Sequence, residues 1–520
     1  MWLSLLVVFA FFAASCSVET PPDARASAAL VPETATEVLG AGTTPSTEAN
    51  NARETPQEST TAPGRPDQEQ DLFVDGWTGI QAPAAEQRPE VPQVEPPGSE
   101  GDLNVPAVEA EESDQLSAEE ILGVADLPSA SGGFIADSPR PTCEAPATGE
   151  LTDPPEWVTT ALQAAVDHPD FNGLDVSVSV WIDGWGEVIT RDPDLALLPA
   201  SNEKILVAHA ANELFDPAST IETSIEQVGT DLVFRAGGDP TFSTWRADQL
   251  VAQVVEAGVT SADRLVIDVS DFPQPSAASG WQSWQIRNFV GPLSGFMLDD
   301  NRWNVTDEFL ETPALINGQW LADRLRIAGI AIAEVEIGSL PEGQVVASTQ
   351  SEPIGNLVRT MMLASDNQVA DLLTMQLGLL NGTGTLDDGI AQIEAELAEL
   401  CVPLAGVMDD GSGLSRGNFR SAREFQEILR AIRGTETAEV FTSQLPIGGV
   451  SGTLRGRFGA DAGRVQAKTG TIFGGRALSG YATTDSGRDV VFSILINGER
   501  ERTSSSLGAM DALVRTILRS

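Results

Sequence analysis

A change of texture near residue 150 decides where this chain can build a core. Between residues 17 and 150 the sequence is dominated by Pro, Glu, Ser, Thr and Ala, in stretches such as Pro89-Glu90-Val91-Pro92 and Glu109-Ala110-Glu111-Glu112. This stretch holds 26 acidic and 5 basic residues, a net charge of −21. So little apolar surface cannot offset the entropy of ordering the backbone. The segment is expected as a disordered, self-repelling tether, and the short amphipathic stretch at 118–124 is read as part of it. The core is then confined to the remaining 370 residues, which carry 50 acidic and 25 basic groups.

The whole chain of 520 residues carries a formal net charge of −46. That balance argues against nucleic acid or an anionic membrane surface as the main partner, since both reward clustered Lys and Arg. Only two lysines occur, Lys204 and Lys468; the other 28 basic residues are arginines. Two histidines, His168 and His209, and three cysteines exclude a three-histidine zinc site and leave a Cys/His cluster without enough ligands. No metal and no cofactor is expected.

Residues 2–14 are apolar except for Ser4. The run is too short to span a bilayer, which takes roughly 20 residues, and fits the core of a secretory signal. The basic residues that usually precede such a core are missing, which leaves a start upstream open. The run ends in Ala13-Ala14-Ser15-Cys16, which resembles a bacterial lipobox with Ala13 where Leu is preferred. Lipidation at Cys16 and plain secretion both stand, and both export the chain. In an oxidising compartment Cys143 and Cys401 are candidates for a disulfide, with two free thiols the alternative.

The folded part opens with alternating Val176, Val178, Val180 and Ile182 against Ser177 and Ser179, a strand with one buried face. Asp183-Gly184 turns it into a hairpin. From Ser201 to Phe215 there is no Gly or Pro, and the apolar content predicts a mostly buried helix with Ser201 at its start. Residues 221–350 read as short strands and turns, including 231–235 and 265–269. Helical patterns return at 354–379, 392–400 and 422–433, strands at 477–483 and 490–496. A last helix carries Leu507, Met510, Leu513, Val514, Ile517 and Leu518 on one face. This order is an α/β pattern built on an antiparallel sheet flanked by helices.

The two lysines lead to the chemistry. Lys204 follows Ser201 by three residues, so on a helix both share a face and the amine can reach the hydroxyl. A serine at a helix start also has backbone N–H groups nearby for a developing oxyanion. Lys468 begins Lys468-Thr469-Gly470-Thr471 in a strand-like context, where Gly470 would let a substrate backbone approach the edge. Between them, Ser365-Asp366-Asn367 lies at the junction of two helical segments, offering a proton relay and a side-chain amide. Ser-x-x-Lys, Ser-x-Asn and Lys-Thr-Gly in this order are the motif set of penicillin-binding proteins and serine β-lactamases.

Longer matches narrow the resemblance. Pro199-Ala200-Ser201-Asn202-Glu203-Lys204, Gly237-Gly238-Asp239-Pro240-Thr241, Asp410-Gly411-Ser412-Gly413-Leu414-Ser415-Arg416, the stretch from Leu445 to Leu454, and Ala467-Lys468-Thr469-Gly470-Thr471 resemble the class C low-molecular-mass penicillin-binding proteins, a family of D-alanyl-D-alanine carboxypeptidases and endopeptidases. The resemblance spans roughly 155–520. It implies a transpeptidase-type catalytic domain, here 151–220 and 351–520, with an insertion at 221–350. The 164 residues from Ser201 to Ser365 are few for two inserted domains, so one is expected, carrying the Gly-Gly-Asp-Pro turn.

The resemblance also implies roles. Ser201 is the nucleophile, Lys204 its base, Ser365 the relay, and Lys468 with Thr469 the carboxylate-facing pair. Asn367 and Thr471 hold the substrate backbone, beside Gly470. Asp410, Ser412 and Arg416 are expected near the site as substrate contacts. The substrates would be peptidoglycan stem peptides, with β-lactams as covalent inhibitors and no membrane contact beyond the N-terminal signal or lipid.

His209 lies off the serine's face and reads as packing, and the tryptophans at 281–303 read as core. Two other functions compete. A β-lactamase would need a deacylating carboxylate, and the glutamates after the second motif, such as Glu394 and Glu399, lie in a periodic helix. A non-catalytic β-lactam-binding wall protein would be favoured by degenerate motifs, and these are intact.

Overall fold

The computed structural model describes residues 150–520 apart from 274–276, 304–308 and 310. The signal segment 1–16, all but the last residue of the 17–150 linker, and with them Cys16 and Cys143, lie outside the described residues. The chain enters one sheet with β1 (Asp175–Ile182) and β2 (Gly186–Arg191). It then builds a second from β3 (Glu222–Val228), β4 (Asp231–Arg235), β5 (Ser261–Asp268), β6 (Ala331–Ile337) and β7 (Gln344–Gln350). It returns to the first with β8 (Val465–Ile472), β9 (Gly475–Thr483) and β10 (Asp489–Asn497). The first sheet has the order β2-β1-β10-β9-β8, antiparallel at every pair.

The alternation in β1 sets the packing of that sheet. Val176, Val178, Val180 and Ile182 share a core with Val490, Phe492, Ile494 and Ile496 of β10 and with the Glu156–Val166 and Leu507–Leu518 helices. The serines on the opposite face are not solvated, contrary to the expectation of one buried face. Ser177 and Ser179 are fully buried, because the Ala422–Ile432 helix covers them. Ser177 Oγ accepts the Ala422 N–H at 3.1 Å and Ser179 Oγ donates to Gln426 Oε1 at 3.3 Å. Small hydroxyls thus let a helix lie close to the strand while the two serines keep partners of their own.

The 221–350 segment builds the second sheet and the helices packed on it. Its sheet runs β6-β5-β4-β3-β7, with β4, β5 and β6 parallel and β3 antiparallel to both its neighbours. Reading 221–350 as strands and turns missed a short helix, Ser283–Asn288, and the two that connect the parallel strands, Thr244–Glu256 and Pro313–Ile327. The last two are needed, because parallel strands require crossover connections. The Thr244–Glu256 helix buries Ala247, Leu250, Val251 and Val254 at helical spacing.

The middle of this segment leaves that sheet. Phe272, Trp281, Val290, Leu293 and Met297 are buried in the same core as the helices of the catalytic half. The Gly-Gly-Asp-Pro turn is a second tie. Buried Asp239 accepts from Thr241 N at 2.8 Å and from Arg246 at 2.7 Å. Gln376, on the Asn367–Gly378 helix, donates to the Gly237 carbonyl at 2.6 Å.

Candidate active site

Ser201 lies in a 3-10 turn, Ala200–Glu203, that runs directly into the Lys204–Leu214 helix. Ala200 has φ of 48°, a left-handed conformation that a residue with a Cβ adopts at a cost. The turn is held from several sides. Gly413 passes so close that a Cβ there would lie 1.9 Å from the Ala200 carbonyl oxygen. The backbones of Leu197 and Arg420 exchange hydrogen bonds of 2.9 and 3.0 Å. The fully buried Arg420 side chain pairs with Glu203 at 3.4 Å and with Glu424. Burial pushes the Glu203 carboxyl up to about 8, outweighing the pull of Arg420. Asn202 Nδ2 donates to Ser479 Oγ of β9 at 2.6 Å.

Lys204 is fully buried and its amine has three partners. Nζ donates to Ser201 Oγ at 3.2 Å, to Asn367 Oδ1 at 2.8 Å, and to the Ser412 carbonyl. Burial lowers its pKa to about 8, against the opposing charges of Asp371, Asp410, Asp366 and Glu203. Lys468, equally buried, donates to Ser365 Oγ and to the Thr469 carbonyl, both at 2.8 Å. Burial, and secondarily Lys204, hold it well below the ordinary lysine range.

The Ser-x-Asn motif works through a break between two helices. Ser365 caps the Ile354–Ala364 helix in a left-handed conformation, φ 60°. Asp366 caps the next helix by accepting from Val369 N at 3.0 Å, and Asn367 is that helix's first residue. The amide of Asn367 is then oriented at both ends: Oδ1 accepts from Lys204 and Nδ2 donates to the Phe289 carbonyl at 3.0 Å.

The Lys-Thr-Gly motif occupies β8, the edge strand of its sheet. The 446–448 segment bonds to its outer side at Val465 and Ala467, and Thr469 to Thr471 continue along the same edge. Thr469 Oγ1 donates to Thr453 Oγ1 at 2.7 Å, and Thr471 Oγ1 accepts from Arg476 at 2.9 Å. Gly470 has a different reason from the one expected. A Cβ there would lie 2.8 Å from the Pro199 carbonyl oxygen and 3.1 Å from Ala200 Cβ, so it is the nucleophile turn that needs the glycine.

Asp410 was expected to touch substrate, and its surroundings leave no room for that. It is fully buried and accepts from five donors: Trp281 Nε1, Ser412 Oγ and Ser415 N on one oxygen, Gly413 N and Asn418 Nδ2 on the other. It builds the loop that presents the Ser412 carbonyl to Lys204. Ser412 likewise is fully buried and acts through that carbonyl, its hydroxyl being turned to Asp410. Arg416 is half-buried, donates to the Phe473 carbonyl at 2.7 Å, and keeps a buried Nε without a partner.

Residues from the insertion complete the wall. Trp281 holds Asp410 at 2.6 Å, Gln285 donates to the Leu414 carbonyl at 3.0 Å, and Gly291 N donates to Gln368 at 2.7 Å. Trp281 is buried, as the core reading of that cluster had it, while Trp303 is exposed. His209 is buried with no hydrogen-bond partner on either nitrogen, and burial takes it down to about 4, so it is neutral packing. Glu394 and Glu399, weighed as deacylating groups, are exposed residues of the Leu386–Glu399 helix. Cys401 is disulfide-bonded. Among the described residues no group of three or more His, Cys, Asp and Glu could hold a metal ion.

The D-Ala-D-Ala carboxypeptidase 3 (S13) family matches residues 158–311 and 308–518. A carboxypeptidase of Mycobacterium tuberculosis is 32% identical over 387 residues, covering 68% of this chain and 82% of the relative. A D-alanyl-D-alanine carboxypeptidase of Actinomadura sp. is 28% identical over 432 residues, covering 65% of this chain and 80% of the relative. The crystal structure of penicillin binding protein 4 from Haemophilus influenzae shares the fold, with a TM-score of 0.62 at 20% identity over 70% of this chain and 99% of that one.

Proposed function

Because this chain belongs to the D-Ala-D-Ala carboxypeptidase 3 (S13) family and is a serine-type D-Ala-D-Ala carboxypeptidase acting on peptidoglycan, we propose that Ser201 attacks the carbonyl of the penultimate D-alanine of a stem peptide. The observation that carries this assignment is the position of the Lys204 amine, buried and 3.2 Å from Ser201 Oγ. With its pKa lowered to about 8, that amine is partly neutral near physiological pH and can take the serine proton.

The remaining roles follow from placement. The oxyanion of the tetrahedral intermediate faces the N–H groups of Ser201 and Thr471. The proton passes from Lys204 by way of Ser365, which Lys468 orients, to the departing D-alanine nitrogen. The C–N bond breaks and the acyl group stays on Ser201 Oγ. Water, deprotonated by Lys204, then attacks the ester and restores the serine. Asn367, Gly470 and Thr471 line the substrate backbone; Lys468, Thr469 and half-buried Arg416 supply positive charge or hydroxyls toward its carboxylates. β-Lactams acylate the same oxygen and leave it slowly.

Replacing Ser201 by Ala should abolish both labelling by fluorescent penicillin and release of D-alanine; retained labelling would sink the assignment. Digestion of purified muropeptides separates two products of one chemistry. Loss of one D-alanine mass reports carboxypeptidase action, and splitting of cross-linked dimers reports endopeptidase action. Such substrates lie outside the cytoplasm, which agrees with the apolar run at 2–14. No helix of the described residues is long and apolar enough to cross a membrane. Lipid on Cys16 and a Cys143–Cys401 bridge are the finer readings, both testable by mass spectrometry of the exported protein.

A further inference from the structure

Asp371 has no part in the steps above, yet it is among the most confined groups near them. It lies one helical turn beyond Asn367, on the Asn367–Gly378 helix, and is fully buried. Its Oδ1 accepts the N–H groups of Gly411 and Ser412, both at 2.9 Å. Its Oδ2 is buried with no hydrogen-bond partner. The residue it grips, Ser412, is the one whose carbonyl accepts from Lys204 Nζ. One helix therefore reaches the amine twice, directly through Asn367 Oδ1 and indirectly through Asp371 and the 411–412 backbone.

The two lysines provide an internal comparison. Both amines are fully buried, so both lose basicity to desolvation. Four carboxyl groups oppose that loss at Lys204: Asp371 first, on the Asn367–Gly378 helix, then Asp410 on the loop, Asp366 at the cap of that helix, and Glu203 beside Lys204 in its own turn. At Lys468, on β8, burial is joined instead by repulsion from Lys204. Asp410 spends both oxygens on five donors, whereas Asp371 keeps one free. Burial and Asp410 hold the Asp371 carboxyl well above the usual range, and Lys204 pulls it down, so the two groups share their proton equilibrium.

We propose that Asp371 is a positioning residue for the reaction: it fixes the Ser412 carbonyl on Lys204 and is the buried titratable carboxyl that exchanges charge with this amine, a partner that Lys468 lacks. The proposal rests on the assignment of Lys204 as the group that deprotonates Ser201. A desolvated lysine without a counter-charge would be neutral at rest but a weak proton acceptor, and Brønsted behaviour then slows the transfer.

The chain's two lysines make the test direct, because lysine labelled with 15N at Nζ gives only two side-chain signals. In the wild-type protein the Lys204 signal should titrate at higher pH than that of Lys468; the reverse order would overturn the proposal without any variant. Asp371→Asn keeps an acceptor for Gly411 and Ser412 but removes the titratable carboxyl. It should move the Lys204 titration to lower pH, shift the acid limb of penicillin acylation the same way, and lower the plateau rate about tenfold. Asp371→Glu, which restores the carboxyl, should recover part of the shift. An Asp371→Asn protein with an unmoved titration and acylation profile would leave Asp371 a purely structural residue. The titration is read on unreacted enzyme, so this outcome is distinct from failure of the Ser201 assignment, which would show as acylation of Ser201→Ala.

Discussion

Lys468 and Ser365 stand 103 positions apart in the chain, and the amine of one donates to the hydroxyl of the other at 2.8 Å. Ser365 is exposed to this contact by its left-handed backbone at the end of a helix, and Lys468 by its place on an edge strand. The bond joins the helical half of the domain to the sheet across the mouth of the site.

If that bond serves the proton relay, Lys468→Ala and Ser365→Ala should each slow acylation by penicillin on the order of 10²-fold, within the range of general acid–base effects. The double variant should be little worse than either alone, since both remove one link. Losses that multiply in stopped-flow acylation would show that the two residues act separately.

The Lys204 amine must be neutral to accept the serine proton, and its pKa is lowered to about 8. The acylation rate should therefore rise with pH, fall about tenfold per unit well below that value, and level off above it. Rates measured between about pH 5 and 10 check this. A profile flat on the acid side would exclude Lys204 as the base.

Glu203 makes a separate prediction about stability. Its folded pKa, about 8, lies above the ordinary 4.5, so the folded state holds the proton more tightly than the unfolded state does. Its contribution is complete below the ordinary value and is lost as pH rises from there to about 8. Glu203→Gln should flatten that decline, which amounts to the order of a few kcal/mol. Thermal or urea unfolding at several pH values reads the slope, and an unchanged slope would contradict the assignment.

Arg420 should not tolerate loss of its charge. Arg420→Met leaves Glu424 buried with no cation and strips the largely protonated Glu203 of its donor, and breaking such a group costs about 3–5 kcal/mol. Adding Glu203→Gln and Glu424→Gln should recover part of the loss in urea denaturation. A single variant of near wild-type stability would show that the cluster is better solvated than its burial implies.

Gly413 tests the nucleophile turn. Its φ is +81°, and a methyl group would meet the Ala200 carbonyl at 1.9 Å. Gly413→Ala should displace Ser201 and cost about 10²-fold in acylation, the usual penalty for a shift near 1 Å. Acylation at the wild-type rate would mean that the 413 loop yields instead.

Much of the catalytic half was legible because local rules and global placement agree there. The spacing of Ser201 and Lys204, the helix break at Ser365-Asp366-Asn367 and the alternation of β1 and β10 each follow from short-range periodicity. Ser177 and Ser179 read as an outer face because nothing local announces the helix that arrives from residue 422. The helices at Thr244–Glu256 and Pro313–Ile327 were lost among turn signals, although Ala247, Leu250, Val251 and Val254 keep a helical period. Asp371, a single turn from Asn367, was a legible candidate that only the 411–412 loop makes meaningful.

By itself the sequence determined the chemistry: one serine with a lysine three residues on, a second lysine before Thr-Gly, and no other amine side chain in the chain. Covalent identity and i,i+3 spacing suffice for that. What the tertiary structure decided is how those groups behave. Asp410 became a loop builder instead of a ligand contact, Gly470 a seat for the nucleophile turn, and Lys204 an amine whose basicity burial lowers and carboxyl groups from three separate segments partly restore. Basicity and reach depend on desolvation and on charges brought from distant parts of the chain, and no local pattern records either.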